Sequence, residues 1–365
     1  MASSAVSKTV ALPGTGDQMP TIAYGTWTFL LAKPNEVYEG VKKAIEAGYR
    51  HIDCAWVYDN EQEVGQAIAD KINDGTVKRE DIFVTTKVWD NYHSRERVKL
   101  NVEKSLVKLQ LTYLDLVLIH WPTSFKATFA AREEQKQVSP INSSPLSQPP
   151  TEPPSATEKI LPYVCGAEDG DENFPKSEDG KIIYAFHDIV DTWKGMEDSV
   201  AAGLARNIGL SNFNSKQIQR VLVAATIKPC ILQVEVNPCF TNEKLVQFAK
   251  SKNIVVSSHT SLGAPGRPWK SSTDPSAIAD PVVVDIAAKK GKSPAQVILR
   301  WHLQHGLCLC VKSLTPERIR ENIDVFDFEL SDEEVARISG LNKNFRIYRQ
   351  EISMEHPEYP FNEEF

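Results

Sequence analysis

No two cysteines in this chain stand at the C-x-x-C spacing of a zinc knuckle or a dithiol redox site, and no histidines accompany them at ligand spacing. No metal is therefore expected. The six that occur, Cys54, Cys165, Cys230, Cys239, Cys308 and Cys310, are scattered except for the last two, as suits free thiols in a reducing compartment. In "LCLCVKS", Cys308 and Cys310 read as small apolar strand residues rather than a redox pair. Also missing is any apolar run long enough for a signal peptide or a membrane span, so the expected compartment is the cytosol, with no membrane partner. Positive charge is not in excess. A formal charge of -7 and a pI near 5.7 argue against nucleic acid or an anionic surface as partner, and for a small molecule. Finally, no strand runs into G-x-G-x-x-G; the glycines of "PGTG" before Asp17 fall in a hairpin turn instead. The open dinucleotide-binding fold is set aside.

What is present is an ordinary globular composition, 41% hydrophobic and 24% charged over 365 residues, with a pronounced rhythm. Short β-branched and aliphatic runs end in polar residues at "TIAYGT", "RHIDCA", "IFVTTK", "LDLVLIH", "RNIGLSN", "ILQVEVN", "NIVVSSHT" and "LCLCVKS". Amphipathic segments such as "NEVYEGVKKAIEAG" and "TNEKLVQFAKSKN" lie between them. Alternating strand and helix with continuously apolar strands predicts a parallel sheet covered on both faces, closed as a (β/α)8 TIM barrel of the α/β class. The expectation is one domain over 1–365 with an N-terminal β-hairpin. Residues 126–173, rich in Pro, Ser and acidic residues, form an insertion after the fourth strand that lacks the aliphatics to build a core. A surface insertion is the first reading and a lid the second. Ser331 and Glu334 make a capping box before a last helix, and the tail beyond carries four aromatics between Phe345 and Phe361, too apolar to leave free.

In a parallel barrel every strand delivers its carboxyl end to one rim, so Asp53, Lys87 and His120 from the second, third and fourth strands become neighbours, with Tyr58 in reach above them. Each alone has an ordinary structural explanation. Together they make a proton donor: an ammonium at Lys87 favours phenolate and lowers the phenol pKa, each unit being worth about 1.4 kcal/mol. A buried lysine tends to lose its proton, and Asp53 is placed to keep it charged. His120 is suited to hydrogen-bond the oxygen of a carbonyl. Such a set gives a proton but no electrons, which calls for a reduced nicotinamide. Ser211, Asn212 and Gln233 suit a carboxamide, and Lys312, Ser313 and Arg318 surround a helix N-terminus as an anion site fit for the 2′-phosphate of NADPH.

The stretches "MPTIAYGTWT", "AGYRHIDCAWVYDNEQEVG", "TTKVW", "LDLVLIHWP", "GLSNFN", "RPW", "KSLTPERIRENIDVFDFELS" and "YPFNEEF" together resemble the aldo-keto reductase superfamily, in its aldose and aldehyde reductase branch. The resemblance implies a barrel binding NADPH at its C-terminal rim, with Asp53, Tyr58, Lys87 and His120 catalytic. It carries cofactor contacts to Thr26, Trp27, Ser211, Asn212, Gln233, Ser261, Leu262, Lys312, Ser313, Arg318, Glu321 and Asn322, with Ser261–Trp269 folding over the pyrophosphate. Trp27, Val57, Trp89, His120, Trp121 and Trp269 are implied to line the substrate pocket, and a monomer is implied. The function implied is NADPH-dependent reduction of aldehydes, with ketones or aldoses as further substrates. The alternative is an NADPH-binding sensor barrel with little turnover. A hydrolase with paired carboxylates finds only Asp53 and Glu235 at the strand ends, in positions that do not suggest that geometry.

Two features depart from the family. Tyr348, Arg349 and Gln350 give the specificity tail a polar character, and His259 stands where a tyrosine usually stacks on the nicotinamide. An imidazole has the smaller face and buries less area. His259→Tyr is therefore expected to bind NADPH more tightly, by a decrease in Kd in fluorescence titration; an unchanged or higher Kd would count against the stacking role.

Overall fold

The computed structural model describes residues 8–28, 33–127 and 172–363, so Cys165 and nearly all of the 126–173 insertion lie outside the described residues. The chain opens with an antiparallel hairpin, β1 (Thr9–Ala11) and β2 (Gln18–Pro20), whose turn holds the "PGTG" glycines. Eight parallel strands follow: β3 (Ile22–Gly25), β4 (His51–Asp53), β5 (Phe83–Val88), β6 (Leu114–Ile119), β7 (Ala205–Ser211), β8 (Ile231–Glu235), β9 (Val255–His259) and β10 (Cys308–Val311). They correspond one for one to the apolar runs of the sequence. β10 pairs with both β9 and β3, so the sheet closes as a barrel.

Alternation along the strands sorts side chains between two apolar regions. On β6, Leu116 and Leu118 point into the barrel with Phe83, Ile231 and Cys308, while Val117 and Ile119 join the larger core beneath the helices. Leu12 and Met19 of the hairpin, both fully buried, belong to the inner cluster and plug the barrel. The register of β5 against β6 pairs Thr85 with Leu116 and Lys87 with Leu118, which carries Lys87 into the interior. An ammonium inside a barrel demands an explanation, and the site supplies it.

Outside the strands run α1 (Glu36–Glu46), α2 (Glu61–Asn73), α3 (Arg95–Leu109), α4 (Ile189–Ala201), α5 (Ser215–Ala224), α6 (Glu243–Ser251), α7 (Pro281–Lys290), α8 (Pro294–Gln304), α9 (Pro316–Ile323) and α10 (Asp332–Ser339). The capping box of α10 forms as the sequence predicts: Glu334 N–H donates to Ser331 Oγ, and Ser331 N–H donates to Glu334 Oε2. The tail after α10 folds over the C-terminal rim. Asn214 Nδ2 donates to the Pro360 carbonyl and Gln217 Nε2 to that of Glu358. The insertion has a fastened neck, where Lys126 N–H donates to Ile183 O at 2.9 Å beside a bridge between Phe125 and Tyr184. Among the described residues no helix is long and apolar enough to cross a membrane.

α2 and α3 approach so closely that a Cβ on Gly65 would stand 2.5 Å from the backbone of Leu109. Backbone cannot step aside as a side-chain tip can. Gly65→Ala is expected to lower stability by about 1–3 kcal/mol in urea unfolding, with an unchanged denaturant slope.

Candidate active site

The strand ends converge as the sequence predicts. Lys87 Nζ, only 1% exposed as a side chain, contacts Asp53 Oδ1 at 2.5 Å. It also donates to the Cys54 carbonyl at 3.0 Å and the Tyr58 hydroxyl at 3.4 Å. Tyr58 arrives on a 3-10 turn, Trp56–Tyr58, directly after β4, and its ring lies edge-on to His120 at 5.7 Å. Asp59, next in the chain, is exposed and turned away from this group.

Burial alone would strip the proton from Lys87, but the Asp53 carboxylate more than reverses this and holds the ammonium above its ordinary range. Tyr58 departs from expectation. Burial pushes the phenol above its ordinary value, and the neighbouring ammonium opposes that rise without cancelling it. The sequence identifies the cation but not the thickness of protein around it, and desolvation is the larger effect here. Tyr58 consequently carries its proton throughout the neutral range. His120 is pushed well below its usual value by burial and by Lys87, so its imidazole is neutral.

The residues expected around a nicotinamide lie beside this core. Gln233 Nε2 donates to Asp53 Oδ2 at 2.8 Å, and Asn212 Nδ2 donates to the His120 carbonyl at 2.9 Å and to Ser211 Oγ at 3.1 Å. Asn212 takes a left-handed backbone, φ 61°, which asparagine tolerates. His259 Nε2 meets Asn212 Oδ1 and its Nδ1 meets Thr260 Oγ1, both at 2.9 Å. An amide oxygen only accepts, so the proton sits on Nε2 and the hydroxyl donates to Nδ1. Burial pushes His259 down to about 3, consistent with that neutral form. Thr260, β-branched at φ 57°, bends the chain from β9 into the Ser261–Trp269 segment. The Ser261 hydroxyl is occupied inside the fold by Ser258 and the Cys310 carbonyl, and Leu262 packs on the core.

At the far side Lys312 follows β10, the Ser313 hydroxyl accepts from Thr315 N–H, and Arg318 is exposed in the first turn of α9, with no ion pair among the described residues. Asn322 is buried and Glu321 partly so on the same helix. Thr26 is tied to the Asp53 carbonyl through N–H and hydroxyl. Of the expected pocket walls, Trp27 and Trp269 meet Tyr348 edge-on at 5.3 and 5.8 Å, Trp121 packs on Phe361, Val57 is partly buried, and Trp89 lies 5.4 Å from His120.

Four contributors were not anticipated. Asn173 receives the indole N–H of Trp56 on its side chain and that of Trp89 on its carbonyl, so the returning end of the insertion reaches the site. Cys310 lies against the Asp53 carboxylate, and burial together with that charge pushes its thiol well up. Glu235, weighed in the sequence only as half of a carboxylate pair, instead accepts the backbone N–H groups of Ile347 and Tyr348, each at 2.8 Å. Its place two residues after Gln233 on one strand was the available signal. The fourth, Asp90, follows Trp89 and is taken up below.

A closed α/β barrel whose interior lysine joins a carboxylate to a protonated phenol, beside a neutral imidazole, is chemically equipped to give a proton to a polar double bond. The comparisons give the family. A model described as the Aldo/keto reductase family matches residues 21–343. Aldo-keto reductase family 1 member A1 from Xenopus tropicalis is 38% identical over 361 residues, covering 96% of this chain and 97% of the relative. The protein of the same name from Gallus gallus is 39% identical over 360 residues, covering 96% of each. Among solved structures, the aldose reductase from Schistosoma japonicum aligns with a TM-score of 0.79 at 37% identity, covering 98% of this chain and 99% of that one. A Bombyx mori aldo-keto reductase in complex with NADP aligns at 0.78 and 36%, covering 96% and 98%. This chain belongs to the aldo/keto reductase family and is an oxidoreductase acting on carbonyl groups.

Removing one partner of a buried ion pair leaves the other charge unpaired. Asp53→Asn is expected to cost about 3–5 kcal/mol in urea unfolding, and Asp53→Asn with Lys87→Met to recover part of it. Because Asp53 holds Lys87 above its ordinary value, this stabilisation is complete below about pH 10 and is lost only as pH rises beyond it. Melting curves of wild type and double variant at pH 7 and above 10 check the sign.

Proposed function

We propose that this protein reduces aldehydes, and by extension ketones or aldoses, to alcohols, with Tyr58 as the proton donor. NADPH, when bound, supplies the hydride that reaches the carbonyl carbon. The residues present fit such a cofactor. Ser211, Asn212 and Gln233 offer amide and hydroxyl groups beside the catalytic core, and Arg318 stands exposed beside Lys312 for a phosphate.

The observation that carries the reading is the single ammonium of Lys87 held between Asp53 and a protonated Tyr58. As the phenol gives up its proton to a carbonyl oxygen, negative charge develops beside a cation that is already fixed and desolvated, with no solvent reorganisation required. Asp53 keeps that cation charged when burial would discharge it. His120, neutral, offers an N–H to orient the carbonyl oxygen without competing as an acid. A binding-only barrel has no use for an ion pair buried at this cost. The polar mouth of Tyr348, Arg349 and Gln350 favours substrates with a hydroxylated or anionic end.

Loss of NADPH absorbance with aromatic aldehydes, short aldehydes and aldoses tests the proposal. Wild type is expected to turn over at least one class, and Tyr58→Phe to lose about 10²–10⁴-fold in kcat with little change in NADPH affinity. No turnover by wild type on any of them favours the sensor barrel; full activity in Tyr58→Phe removes the proton-donor role.

A further inference from the structure

Asp90 sits one residue beyond the pocket wall Trp89 and is wholly buried. Its Oδ2 accepts two hydrogen bonds, from Thr123 Oγ1 at 2.6 Å and from Gln350 Nε2 at 3.0 Å. Its Oδ1 has no partner, and neither does Gln350 Oε1, although both are shut away from water. The two orphaned atoms are both acceptors, and they belong to the two groups that the 3.0 Å bond already joins. One proton supplies the donor that both lack. A carboxylic acid and a primary amide pair through two bonds, amide N–H to acid carbonyl and acid O–H to amide carbonyl, and the structure contains the first.

Resting on the reductase reading above, we propose that Asp90 is a carboxylic acid in the working enzyme, closing an acid–amide clasp with Gln350 that positions the tail across the substrate mouth. Gln350 lies at φ 45° two residues beyond Tyr348, whose ring meets Trp27 and Trp269. Glu235 fixes the tail up to Tyr348 through two backbone N–H groups, and the clasp fixes it just after. The clasp thus spans the mouth from the Trp89 wall to the Tyr348 wall. Asp90 and Gln350 are positioning residues, since neither touches the Lys87–Tyr58 pair.

Burial pushes the Asp90 carboxyl up to about 7, against the hydrogen bonds from Thr123 and Gln350. The titratable groups around it add no compensating charge. Burial pushes His93 on the same loop down to about 3 and His120 after β6 well down, and it lowers His187 before α4 and His356 in the tail as well. Arg349 is exposed, and Asp90 has no ion pair among the described residues. Glu235, also pushed up to about 7, accepts its two backbone donors more strongly as a carboxylate, so its titration tightens the tail as pH rises and works against the effect of Asp90.

Deprotonation removes the acid O–H and leaves Asp90 Oδ1 and Gln350 Oε1 again without a donor, so the second bond of the clasp is lost as pH rises through about 7. Wild-type KM for a carbonyl substrate is expected to rise about three- to tenfold between about pH 6 and about pH 8.5, the range for losing one buried hydrogen bond, with KM for NADPH unmoved. Asp90→Asn carries a permanent donor and should keep the low KM throughout. Gln350→Ala should show a high KM that does not vary with pH. A second readout needs no turnover. Since the folded value lies above the ordinary carboxylate value, wild type should lose thermal stability relative to Asp90→Asn from about pH 4 to about 7, the gap levelling off above that. An Asp90→Asn enzyme with the wild-type rise in KM, or a stability gap independent of pH, overturns the clasp. Absence of turnover in wild type would instead overturn the reductase reading, with the stability gap still reporting on Asp90.

Discussion

Everything in the active centre depends on keeping one ammonium charged where water does not reach. Lys87 stands inside the barrel among strands whose outer faces are sealed by helices, and its charge persists there because Asp53 touches it at 2.5 Å. The pair is an ion pair in a medium that penalises both ions separately. This constraint explains why the adjoining groups are so closely tied down. Gln233 fixes the other oxygen of Asp53, the Cys54 carbonyl takes a second ammonium proton, and Thr26 binds the Asp53 carbonyl. With one carboxylate oxygen on Lys87, the other on Gln233 and its backbone tied to Thr26, Asp53 cannot swing away and leave the lysine bare.

The same dryness governs the titrations. It keeps Tyr58 protonated, holds His120 and His259 neutral, and raises Glu235 and Asp90 to about 7. A phenol at this site remains an acid over the whole physiological range. The charge beside it opposes the effect of burial on that proton without cancelling it.

The barrel and three of the four central residues were legible in the sequence as consequences of strand periodicity, and Tyr58 from its place in the turn just after the second barrel strand. Strands that run apolar and stop on a polar side chain bring Asp53, Lys87 and His120 to one rim without any knowledge of loops. What escaped was non-local. Glu235 meets Ile347, 112 positions away in the chain, and Asp90 meets Gln350, 260 positions away; no pattern along one strand announces either contact. The sign of the Tyr58 shift escaped for a related reason. Identity of the neighbouring charge is local information, whereas depth of burial is a property of the assembled barrel. The tail was recognisable as too apolar to be free, but its contacts with Asn214, Gln217 and Glu235 establish which rim it covers.

The fastened neck of the insertion has a consequence for how this barrel tolerates change. Lys126 and Ile183 are joined at 2.9 Å, so the barrel sees two fixed ends rather than what lies between them. Closing a flexible loop between two fixed ends costs only about 0.6 kcal/mol more for each doubling of its length. A flexible segment of another length could therefore be joined at these two ends at little cost in stability. Yet Asn173 and Phe174, just inside the neck, rest on Trp89, which meets His120, so whatever is spliced there arrives within one side chain of the candidate active site. It is a port through which new specificity can be acquired without disturbing the chemistry beneath.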